Sequence, residues 1–199
     1  MTKNLITPFV FSLLLTASNF SYGQNNKITN NDLTSFKSDS IKLRNLIINI
    51  LKWHQKDTSV DFEPMTNKST DSVYSGIDWK KHNQRILALK KTNFFSQIFF
   101  DNYTKIAQHL DEELKQNKTK YFVGDLPPYD HPNEWCNCQD YPNNIWNNFK
   151  ITSLKISDNQ ATFKWTFDKK NLYSVKARRE DNIWKVTDLE GFQIKNFSW

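Results

Sequence analysis

Glycine is scarce in this chain. The 199 residues include four Gly, six Pro and two Cys. So few glycines leave little room for a phosphate-cradling nucleotide loop, and the low Gly and Pro content excludes a collagen-like or linker-dominated chain. Two cysteines cannot build a disulfide-dense scaffold. The formal charge is +6, yet no run of five or more Lys/Arg occurs. Nor are the aromatics interleaved with Arg in a nucleic-acid motif, so no nucleic-acid partner is expected. H-E-x-x-H and G-x-S-x-G are both missing, and His54, His82, His109 and His131 each stand apart from any nucleophile pattern. What the chain does have is aromatic mass: 15% Phe, Trp and Tyr, with seven Trp. That is too much for a disordered tail and points to a globular fold with a sizeable core.

The N-terminus reads as a secretory signal peptide spanning residues 1–23. Lys3 supplies a positive start, Leu5 to Ala17 a mostly apolar run, and Ser21-Tyr22-Gly23 small residues three and one before a cut ahead of Gln24. A transmembrane helix needs roughly 20 apolar residues, more than this run supplies. No Cys follows it to carry a lipid anchor. Removing the segment takes away Lys3 and no acid, leaving a charge of +5. A soluble periplasmic or secreted product is the expectation, with no membrane span after cleavage. Residues 24–38 are rich in Asn, Ser and Thr and read as a flexible lead-in to one domain over 39–199.

Within that domain the hydrophobic period changes once. Ser38 or Asp39 is placed to cap a first helix with the stripe Leu43, Leu46, Ile47, Ile50 and Trp53 or His54. Residues 57–76, with Pro64 and Gly76, read as a loop. Asp78 should cap a second helix carrying Trp79, Ile86 and Leu89. Ser96 should cap a third, with Phe95 and Phe100 as a hydrophobic staple and Phe99, Tyr103, Ile106, Leu110 and Leu114 buried. Asp111, Glu112 and Glu113 read as its solvated face. The prolines of 124–144 forbid regular helix. From Ile151 the period becomes two: Ala161, Phe163, Trp165 and Phe167, then Tyr173, Val175 and Ala177, then Trp184 and Val186. Turn residues separate these runs, which predicts an antiparallel meander. Its polar face carries Lys164, Thr166, Lys176 and Arg178. The expected class is α+β, with N-terminal helices covering the apolar face of the sheet.

Helices first, then a meander ending in Asp181-Asn182-Ile183-Trp184-Lys185-Val186-Thr187-Asp188-Leu189, resembles the NTF2-like superfamily. Asn93-Phe94-Phe95-Ser96 through Phe100-Asp101-Asn102-Tyr103, and Cys138-Gln139-Asp140 before the hairpins, resemble secreted bacterial DUF3828-like proteins of unknown function. The resemblance spans roughly residues 40–190 and implies a curved antiparallel sheet closing on helices as a cone. The loop at 57–76 and the Cys-x-Cys depart from that pattern. The superfamily includes isomerases, dehydratases and pure binding modules, so the fold leaves function open.

Cys136-x-Cys138 is the most unusual local feature. One Cys-x-Cys beside His131 falls short of a four-ligand zinc site with standard spacing, so neither a metal nor another cofactor is expected. The two sulfurs are either bridged to each other or free and packed against Trp135. Acid/base chemistry in the cone would draw on Asp140, Asp125 or Tyr103. The expectation is instead a non-catalytic binding module, holding a small ligand or a periplasmic protein partner in or at the mouth of its cone. Trp135, Gln139, Asp140 and Tyr103 are the candidate ligand-binding residues, with Trp135 either an exposed capture surface or a plug in the core. The alternatives are an isomerase- or dehydratase-type enzyme, or an inhibitor or immunity protein acting through the 125–144 loop.

Overall fold

A computed structural model describes residues 30–68, 72–116, 122–123, 133–136, 138, 141, 145–168 and 171–197. The signal-peptide segment, Asp125, His131, Gln139 and Asp140 lie outside the described residues. The elements run α1 (Asn30–Lys56), β1 (Pro64–Met65), β2 (Gly76–Ile77), α2 (Trp79–Thr92), α3 (Gln97–Gln116), α4 (Ile145–Asn148), β3 (Lys150–Ser157), β4 (Gln160–Thr166), β5 (Tyr173–Glu180) and β6 (Ile183–Leu189), then two 3₁₀ turns at Glu190–Phe192 and Ile194–Asn196. This is an α+β protein. Strands β3-β4-β5-β6 form a four-stranded antiparallel sheet in sequence order, and α1 and α3 pack against it.

The meander follows from its period. Ala161, Phe163 and Trp165 on β4, Tyr173, Val175 and Ala177 on β5, and Trp184 and Val186 on β6 are all buried. Lys164, Lys176 and Arg178 on the alternate positions are exposed, whereas Thr166 is buried and its hydroxyl accepts from Asp168 N at 3.0 Å. The β5–β6 hairpin closes through Asp181 and Asn182, both left-handed at φ 50° and 63°, the conformation a two-residue type I′ turn demands. Register shifts between Thr152 and Lys155 on β3, and beside Lys176 and Ala177 on the β5–β6 pair, bend the sheet.

The helices obey their stripes. Leu43, Leu46, Ile47 and Ile50 of α1 are buried, as are Phe99, Tyr103, Ile106, Leu110 and Leu114 of α3. Asp78 caps α2 by accepting from Lys81 N at 3.0 Å. Phe95 and Phe100 meet edge to face, 6.3 Å between centroids, as the staple before α3 requires. Three local expectations change. First, α1 begins at Asn30, so Asp39 sits inside the helix instead of capping it. There it is buried, ion-pairs with Arg179 and accepts from Trp184 Nε1 at 3.1 Å. Second, Ser96 carries the first turn of α3 through its carbonyl, while its hydroxyl has no partner among the described residues. Its backbone serves the sheet too: Ser96 N donates to Val186 O at 2.9 Å and Val186 N to Phe94 O at 2.8 Å, a short parallel bridge along β6. Third, Asp111 is buried, accepting from Ile77 N at 2.9 Å and Lys115 Nζ at 2.6 Å. A side chain at position 76 would place its Cβ 2.6 Å from Asp111 Oδ1, and the φ of 155° also favours Gly76.

Candidate functional site

The 57–76 segment supplies what its composition hides. It holds the short β1–β2 pair, and before that Asp61 and Phe62 turn into the core. Asp61 accepts from Arg85 Nε at 2.7 Å, from Trp135 Nε1 at 2.7 Å and from the Tyr103 hydroxyl, and Arg85 also pairs with Asp57. The Arg85 side chain is 2% exposed and that of Asp61 10%. Its guanidinium carbon lies 5.0 Å from the Trp53 ring centroid and 5.7 Å from that of Trp135, so the planar cation is held by carboxylates at its edge and rings at its faces. Burial opposes the Arg85 charge, but Asp61, Tyr103 and Asp57 together outweigh it and lift the guanidinium above its usual range. Burial and the Asp61 charge together raise the Tyr103 phenol, which stays neutral and donates.

Trp135 and Tyr103, named separately from sequence, are thus joined through one carboxylate. Trp135 is the plug and not the exposed capture surface: it is 1% exposed, stacked on His54 at 4.9 Å and edge-on to Phe192 at 4.8 Å. Tyr103 is fully buried. Cys136 and Cys138 are joined by a disulfide with Cα atoms 5.2 Å apart, and Asn133 N donates to Cys138 O at 3.0 Å to close the same turn. The Glu134 carbonyl beside them accepts from the Tyr173 hydroxyl, which in turn accepts from Gly191 N at 2.9 Å. Any Cβ at Gly191 would fall 2.0 Å from that carbonyl oxygen. The Glu134 carboxyl is pushed up to about 7 by burial, with the Asp61 charge adding to it.

An open groove of about 520 Å³ lies elsewhere, between the outer face of α3 and strands β4 to β6. Its α3 wall is Ile98, Asp101, Asn102 and Lys105; its sheet wall includes Thr162, Lys176, Arg178, Thr187 and Asp188. Lys176 pairs with Asp188 at 3.1 Å and Asp101 accepts from Gln97 at 2.8 Å. Lys105 and Arg178 face the groove from opposite walls, and among the described residues neither has a carboxylate partner. Trp135 and Tyr103 do not line it.

Comparison with protein-family models, curated proteins and solved structures finds no match for this chain. No helix among the described residues is long and apolar enough to cross a membrane. Arg178 was legible in the sequence only as part of a polar sheet face, and Lys105 not at all. The pairing of the two depends on how α3 crosses the sheet, which no local spacing encodes.

Proposed function

We propose that the chain is an exported, non-catalytic binding module of NTF2-like build that holds a small anionic ligand in the groove between α3 and the sheet. The observation that carries this reading is a pair of cations, Lys105 and Arg178, that have no carboxylate partner among the described residues and line two walls of a cleft of about 520 Å³. That volume is within the ordinary range for small-ligand sites, and two permanent positive charges with the Thr162 and Thr187 hydroxyls suit a carboxylate or phosphate oxygen. The signal-peptide pattern supports export. The Asp61 carboxylate has its oxygens engaged by Arg85, Tyr103 and Trp135, which favours a structural role for it over proton abstraction.

Calorimetric titration of the mature chain with succinate, citrate and inorganic phosphate tests the proposal. Saturable binding of at least one is expected, weakened about tenfold or more in the Lys105→Gln, Arg178→Gln double variant, consistent with the loss of one or two charge-assisted contacts. Both side chains are exposed, so the fold should survive. No binding by any of the three, or equal binding by the double variant, would reject the site.

A further inference from the structure

A second groove, of about 410 Å³, shares no residue with the first. Lys42, Asn45, Leu46 and Asn49 form one wall, spaced along a single face of α1. Thr92, Asn93 and Phe94 at the end of α2 form another, and Asn182, Ile183 and Trp184 at the β5–β6 turn close it. Four exposed asparagines from three separate elements therefore line it. None has a hydrogen-bond partner among the described residues. Asn93 and Asn182 hold left-handed backbone, at φ 58° and 63°, which fixes the two positions from which their amides project. The floor is apolar: Leu46 and Trp184 are buried, Phe94 is half-buried, and Ile183 is 50% exposed. Trp184 is 4% exposed, with its indole N–H given to Asp39 at 3.1 Å and Arg179 over its ring at 4.5 Å, so it underlies the groove while Ile183 supplies the exposed hydrocarbon.

We propose that this groove binds an uncharged carbohydrate ring. A carboxamide carries both donors and an acceptor, which matches a hydroxyl that is itself both. Four of them over an apolar floor suit a ligand with a ring of hydroxyls and a hydrocarbon face. The one charged residue of the lining is Lys42, an exposed side chain 3.9 Å from Asp39, and no acid lines the groove. That pattern fits a neutral ligand better than an ion.

The test uses the full mature chain and a fixed probe set: glucose, galactose, N-acetylglucosamine, diacetylchitobiose and glucuronate, followed by ligand-observed NMR and calorimetry. The variants are chosen to spare the fold. Asn45→Ala and Asn49→Ala improve helix propensity, whereas Asn93→Gly and Asn182→Gly keep the left-handed backbone. The quadruple variant should melt within a few degrees of the parent. Saturable binding of a neutral sugar, insensitive to 0.5 M salt (on the order of a 3–5 Å Debye length) and weakened about tenfold or more in the quadruple variant, is the expected result. No saturable binding by any neutral sugar, equal binding by a folded quadruple variant, or salt-sensitive binding of glucuronate alone would overturn it. If the quadruple variant unfolds, Asn45→Ala with Asn49→Ala on helix α1 alone must still weaken sugar binding; unchanged affinity there overturns the proposal too. Arg178→Gln should leave sugar affinity unchanged, so this site and the anion groove succeed or fail separately.

Discussion

Asp61 is where a single side chain holds the most together. It joins the 57–76 segment to α2 through Arg85, to α3 through Tyr103 and to the disulfide turn through Trp135. Removing it takes one of two carboxylates from a buried guanidinium and strands the Tyr103 hydroxyl and the Trp135 N–H, at a cost of about 3–5 kcal/mol. Asp61→Ala should therefore lower the denaturant midpoint by that equivalent at constant m-value, and a loss below about 1 kcal/mol would show that Arg85 finds another partner. His82 sets a pH dependence. It is 3% exposed between Phe62, Tyr103 and Trp79, and neither ring nitrogen has a partner among the described residues. Burial depresses its pKa below the usual 6.5, against the pull of the Asp61 charge. The unfolded chain then binds the proton first as pH falls, so stability should decline below about pH 6.5. Glu134 acts oppositely: with its pKa raised from 4.5 to about 7, the folded state holds the extra proton, and its share of stability is lost as pH rises through that window. The two effects overlap and oppose each other, so in urea titrations from pH 5 to 8 His82→Leu should raise stability at pH 5 relative to that at pH 7, and Glu134→Gln should lower it, each compared with the parent. An unchanged difference in either variant would place the linkage elsewhere.

At the scale of elements, Trp165 tests the meander. It packs on Phe149 at 5.1 Å and Tyr173 at 5.1 Å, and its indole N–H has no partner among the described residues. Trp165→Ala should cost about 3–5 kcal/mol. Trp165→Phe should cost much less, because it removes an unpaired buried donor along with part of the ring. Equal losses in thermal melts of the two variants would contradict this. The strands and helical stripes were legible in sequence because each is a local period: side chains two apart share a strand face, and those three or four apart share a helix face. The Asp61 cluster was not, because its partners lie 24, 42 and 74 residues away. One signal was present: Trp79, His82, Arg85 or Ile86, and Leu89 form a helical stripe. A charge on an apolar stripe implies a buried counter-ion, though not which one. The early start of α1 was hidden for a different reason, since Asn, Ser and Thr are poor helix formers and Asp39 looks like a cap until its distant partners Arg179 and Trp184 are known.

For the whole molecule, export is the first expectation to check. N-terminal sequencing of the released protein should begin at Gln24, and a chain retaining Met1 in the cytosol would contradict the signal-peptide reading. The close approach at Gly191 ties the far end of the chain to the disulfide turn. Gly191→Ala should loosen both, costing about 1–3 kcal/mol by overpacking and speeding proteolysis near Trp135. The bridge along β6 has a consequence for self-association. A sheet that stacks indefinitely, copy on copy, needs two free edges. Here the Phe94–Ser96 backbone covers β6 at Val186, and among the described residues β3 is the opposite edge of the sheet, kinked by its bulge and carrying Lys150 and Lys155. A second copy therefore meets a partly covered edge at β6 and a bent, charged one at β3, which disfavours end-to-end growth of this sheet at both sides.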